Sequence, residues 1–250
     1  MWAHLVHRLA MMISDVINKT VHFGMPKFVQ FLYLIPLFAC AIVSIKAFTQ
    51  KWLSPYRLFS LFIWASGCTE LFAVGWKLYF HKTGYWDLPQ SNLWIYNLWI
   101  VPQYLFYFLF YAKLPELKSL RVMSRVVIPL YLVFCVVNMV FIQSISTLNT
   151  YTIVIGNLIA LLSSVIYFVN EVNRREYIRV TDQPLFWISL GVFTFHTVSL
   201  PYFILMNYLN LINVKMSLTL LHILIFLNIL MYSFYLIAFL CKRPFHRTPT

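Results

Sequence analysis

A chain of 250 residues with 61% hydrophobic and only 10% charged side chains lies far from soluble composition, where charged residues average about 25%. Its formal charge of +12 comes from 19 basic and 7 acidic residues, and the basic ones fall in short stretches between apolar runs. That distribution argues against a nucleic-acid face and for lysines and arginines placed beside anionic lipid.

Residues 1–28 open the chain with an apolar run broken by His4, His7, Arg8, Ser14 and Asp15. Trp2, Leu5, Leu9, Met12, Ile13 and Val16 recur at helical spacing, the pattern of an amphipathic helix lying in the membrane interface. A translation start at Met25 is the other reading of this segment. Seven spans of roughly bilayer length follow, at about 29–48, 57–79, 93–112, 124–143, 150–171, 185–208 and 217–241. A short basic tail, 242–250, ends the sequence. The expected fold is therefore an all-α integral membrane protein, a seven-helix bundle occupying 29–241.

Basic residues set the expected orientation. Lys46, Lys51 and Arg57, then Lys113, Lys118, Arg121 and Arg125, then Arg174, Arg175 and Arg179, then Lys242, Arg243 and Arg247 all fall on one side. Together they are thirteen of the 19 basic residues, which places the N-terminus outside and the C-terminus in the cytoplasm. The four cysteines, Cys40, Cys68, Cys135 and Cys241, lie in spans or at a helix end, so no disulfide framework is implied.

Few polar side chains lie at membrane depth, and each can be weighed singly. Glu70 is the only acidic residue well inside a span, where a charged carboxylate costs about 2.5 kcal/mol or more. Ser66, Gly67, Ala73 and Val74 share its helix face, and the small ones let another helix approach closely. Glu70 is either a structural hydrogen-bonding group or a ligand-binding or proton-sensing one. His196, near the centre of the sixth span, precedes Pro201, which is expected to kink the helix. For His196 and for His222, in the outer half of the last span, packing competes with function. Gln103, Asn97, Asn138, Asn157 and Asn228 complete the set, mostly as interhelical hydrogen-bonding groups. An outward-facing cavity lined by Glu70, Gln103, His196 and His222 is the site expectation, with Asn97, Asn157 and Asn228 as further candidates. The third span also carries Tyr104, Phe106, Tyr107, Phe108, Phe110 and Tyr111, which read as a packed aromatic face.

Several chemistries are disfavoured. The seventh span holds no lysine for a retinal Schiff base, and no acidic-Arg-aromatic triplet ends the third span. Neither an HExxH nor an HxxxH pair accompanies Glu70, His196 and His222, which weighs against an intramembrane metallohydrolase. Ser163 and Ser164 lack a Gly-x-Ser setting and a placed histidine. Pro102-Gln103 matches the PQ pair of seven-helix sugar transporters, but the fifth span has no proline and the halves do not repeat. No metal, cofactor or catalytic residue is expected.

Three stretches, LWIYNLWIVPQYLFYFLFYA, PLFWISLGVFTFHTVSLPYF and LNILMYSFYLIAFLC, resemble an uncharacterised family of bacterial seven-helix membrane proteins found alone or beside sensor histidine kinases. The resemblance implies a non-enzymatic signalling component of the bacterial inner membrane. On that expectation an external or membrane-borne cue acts near Glu70 and His196. Arg174, Arg175, Arg179, Lys242 and Arg243 would then meet a cytoplasmic partner such as a kinase. The alternatives are a small-solute or proton-linked transporter or channel, and a structural subunit of a membrane complex.

Overall fold

In lipid, backbone N–H and C=O groups must be satisfied within the chain, so long apolar runs become helices. The computed structural model describes residues 31–50, 52–83, 92–115, 117–145, 147–173, 179–212 and 214–241, and all its regular elements are helical. The interfacial segment 1–28 with Met25, the basic residues Arg174, Arg175, Lys242 and Arg243, and the tail 242–250 lie outside the described residues. Helix α1 is Leu34–Ser44, continued past Ile45 by the turn Lys46–Thr49. Next come α2 (Ser54–Thr83), α3 (Leu93–Ala112) and α4 (Lys118–Val137), the last ending in a π-helical turn, Asn138–Ile142. Then follow α5 (Thr150–Val172), a 3-10 turn Val180–Asp182, α6 (Pro184–Ile212) and α7 (Val214–Leu240).

Helices α2 to α7 supply six segments long and apolar enough to cross a membrane. The first apolar segment is shorter than the expected span at 29–48. Its helix runs over Leu34–Thr49, about 24 Å at 1.5 Å per residue, against a hydrocarbon core of roughly 30 Å. Ile45 bonds back to Ile42 rather than a full turn, which divides the segment.

Neighbouring helices close a ring. α1 packs between α2 and α7, α2 against α3, α3 against α5, α5 against α6, and α6 against α7. α4 stands outside this ring, chiefly against α3. Its apolar window is 17% buried, compared with 39–44% in the other five long helices, and Val122, Val126, Leu130, Val133 and Val136 are exposed along it. A face of branched apolar side chains there suits contact with acyl chains.

The ring is filled by aromatic side chains. Phe62 on α2 and Phe106 on α3 stack in parallel with centroids 4.2 Å apart. Phe59 meets Tyr235 of α7 edge-on at 4.9 Å, and Trp52 stacks on Phe239. Tyr104, Tyr107, Phe108, Phe110 and Tyr111 are all buried, so the aromatic run of the third span is core packing as expected. Two glycines allow helices to close. Gly191 sits beneath Tyr235, where an added Cβ would lie 2.9 Å from the ring, and a Cβ at Gly156 would stand inside the ring of Tyr104.

Candidate functional site: two polar centres

The helix face of Glu70 explains the first centre. Ser66 and Ala73 on that face are buried, and Gly67 lets Phe38 of α1 approach to 3.2 Å of where a Cβ would be. With α1 and α3 drawn this close, two hydroxyls reach the carboxylate. Tyr33, just before α1, donates to Glu70 Oε2 at 2.7 Å, and Tyr96, in the first turn of α3, donates to the same oxygen at 3.0 Å. Glu70 Oε1 makes no hydrogen bond or ion pair among the described residues. Tyr232 of α7, near enough to Glu70 to sense its charge, also leaves its hydroxyl unbonded among them. Glu70, Tyr33 and Tyr96 are half-buried and Tyr232 is buried. Lys77, on the same side of α2, is exposed and does not pair with the carboxylate.

The second centre is deeper. Asn157 of α5 is its hub: Oδ1 accepts from Tyr104 Oη at 3.0 Å and faces His196 Nδ1 of α6 at hydrogen-bonding distance. With Tyr104 already donating to that oxygen, the bond assigns the ring proton to Nδ1 and leaves Nε2 an acceptor. His196 Nε2, Asn157 Nδ2 and Ser199 Oγ, one turn from His196, are buried with no partner. The rings of Phe195, Tyr107 and Tyr104 enclose the imidazole at 5.1, 5.4 and 5.8 Å. Below it, Tyr107 and Tyr235 share a hydroxyl–hydroxyl bond of 3.1 Å, and Tyr111 donates to Ser189 at 3.0 Å.

The remaining candidates separate from these centres. Asn97 is fully buried, but it clamps the α4–α5 connection: Nδ2 donates to the carbonyls of Ile145 and Thr147, and Oδ1 accepts from Asn149 N–H. Asn138 does related work, donating to Gln143 and to Thr152 of α5. Asn228 donates to the Leu224 carbonyl of its own helix. Gln103 is half-buried on the stripe of α3 that carries Trp99, Phe106 and Phe110 toward α2, and makes no hydrogen bond among the described residues.

His222 is half-exposed and has no hydrogen bond among the described residues. It precedes Met231 by nine residues, which at about 100° per residue puts it on the opposite side of α7 from buried Leu224, Leu227 and Met231. The cavity expected from Glu70, Gln103, His196 and His222 is thus replaced by two separate clusters, around Glu70 and around His196. Of the basic candidates only Arg179 is described; it is exposed, and its carbonyl opens the turn to Asp182.

Tyr33, Tyr96, Tyr104 and Tyr232 are site residues that attention to charged and amide groups passes over. A signal for three of them exists: tyrosine where phenylalanine would serve a lipid-facing or packed helix implies a hydroxyl seeking a partner. Tyr104, Tyr107 and Tyr111 recur at three- and four-residue spacing on one face of α3.

At the far end of the bundle a cavity of about 170 Å³ opens between the starts of α2 and α6 and the ends of α3 and α5. Tyr56, Lys113, Tyr167, Glu171 and Gln183 line it, and Gln183 donates to Glu171 at 3.1 Å. Ser54 at its rim precedes Glu70 by sixteen residues on one helix, about 24 Å along the axis. Among the described residues no group of three or more His, Cys, Asp or Glu is placed to hold a metal ion.

Compared with known protein families, with characterised proteins and with solved structures, the chain matches none.

Proposed function

We propose that the protein is a non-catalytic signalling component, with all seven apolar segments crossing the bacterial inner membrane and the N-terminus outside. Short as it is, α1 closes the ring with a fully buried face of Leu37, Cys40, Ala41 and Ser44, which favours its crossing with the others. The observation that carries the functional reading is the Glu70 carboxylate held by hydroxyls from two other parts of the chain. A change in what Glu70 binds alters the docking of α1 and α3 on α2 together. Between that centre and the opposite cavity lies a packed interior that includes Tyr107, Tyr235, Phe59 and Phe110, all at most 1% exposed. Densely packed interiors transmit displacement and do not conduct solute, which favours a sensor over a transporter. Arg174, Arg175, Arg179, Lys242 and Arg243 on the cytoplasmic side, with the cavity near Glu171, would seat a partner such as a kinase.

Hydrogen exchange in nanodiscs tests this. Glu70→Gln is expected to change exchange at residues 113–117 and 183–185 by about threefold or more, as local opening free energies shift. Unchanged exchange there would count against transmission. Saturable solute uptake by reconstituted wild-type protein, lost in the same variant, would select the transporter instead.

A further inference from the structure

Among the described residues the Glu70 carboxylate has no basic partner. It accepts two hydroxyl donors on one oxygen. No lysine, arginine or histidine pairs with it among the described residues, and the nearest on its face, Lys77, is exposed. A negative charge inside a bilayer-spanning bundle is costly unless a cation meets it. Among the described residues Glu70 Oε1 and the Tyr232 hydroxyl make no hydrogen bond. Tyr33 and Tyr96 reach Glu70 from two other parts of the chain, and Tyr232 of α7 lies within range of its charge.

We infer that this pocket takes a small organic ammonium ion, resting on the reading of the Glu70 centre as the sensory site. The ammonium group would donate to Glu70 Oε1 and to the Tyr232 oxygen. The tyrosine rings would offer their negative faces to its carbon-bound positive charge, a preference that a strongly hydrated alkali ion does not share to the same degree. Half-exposure of Glu70, Tyr33 and Tyr96 leaves the carboxylate accessible, whereas the imidazole of His196 is sealed. The group that a ligand can reach is therefore the carboxylate.

Purified protein in nanodiscs should be titrated with methylammonium and with ethylammonium chloride, against sodium and potassium chloride at equal ionic strength. Thermal unfolding and tryptophan emission are the readouts, since Trp76, Trp94 and Trp99 lie on the neighbouring faces of α2 and α3. A saturable rise in Tm with an ammonium salt, absent with the alkali salts, is expected. In Glu70→Gln the apparent affinity should fall about tenfold or more, through loss of a charge-assisted bond, and Tyr232→Phe should weaken it less. Should Glu70→Gln not fold, Glu70→Asp and Tyr232→Phe carry the test, because each keeps the charge or the packing. No response to either ammonium salt, an equal response to sodium, or an unaltered response across the variants would overturn the inference. Because the exchange experiment needs no ligand, an altered inner end in Glu70→Gln without ammonium binding would remove this inference and leave the signalling reading standing.

Discussion

The two polar centres look alike in a list of residues and differ in what surrounds them. Around Glu70, two tyrosines from different parts of the chain donate to a half-buried carboxylate whose second oxygen makes no hydrogen bond among the described residues. Around His196, an asparagine takes both available donors, and aromatic rings close off every approach. The Glu70 centre is partly open, and its second oxygen makes no bond among the described residues, while the His196 centre is enclosed and joins α3, α5 and α6.

Breaking the enclosed centre should cost more than altering the open one. Gly156→Ala is expected to have the largest effect, since the new methyl group must push aside Tyr104 and so part it from Asn157. A loss of about 3 kcal/mol is expected in detergent or nanodisc unfolding, at the upper end of overpacking costs. Adding Tyr104→Ala should restore part of it. Asn157→Leu comes next, stranding the Tyr104 hydroxyl and the imidazole, at about 1–3 kcal/mol. An unfolding curve indistinguishable from wild type would mean that the hub does not hold the helices.

Smaller effects sharpen the contrast. Asn97→Ala removes three bonds to the α4–α5 connection and should speed exchange at residues 145–149, at a cost of about 1–2 kcal/mol, without affecting the response to Glu70 variants. Glu70→Gln should cost about 1 kcal/mol or less, because a carboxamide oxygen still accepts from tyrosine, yet it should alter exchange at residues 113–117 and 183–185. Last, Val133→Leu on the exposed face of α4 should stay within about 0.5 kcal/mol of wild type. A large effect there would mean that α4 has a protein neighbour rather than lipid.

Much of this architecture could be read along the chain. Hydropathy located the long helices because lipid leaves the backbone no other partner, and the aromatic run from Tyr104 to Tyr111 read as a packed face. The special positions of Glu70 and His196 followed from the cost of polar groups at depth. What could not be read was which distant hydroxyl each would meet. Tyr33 lies 37 residues from Glu70, and Asn157 lies 39 from His196.

His222 shows the same limit from the other side. Like His196 it is a polar residue within an apolar span, but its rotation on α7 turns it away from the core, and rotation depends on which neighbour the helix packs against. Asn97 had the depth of a ligand-binding residue and became a clamp because the α4–α5 connection folds back over it. Composition and periodicity determined that the chain forms membrane helices, since those are properties of each segment alone. Only tertiary packing decided that α4 stands aside, that His196 is enclosed and that Glu70 meets Tyr33 and Tyr96, because each of these is a relation between segments far apart in sequence.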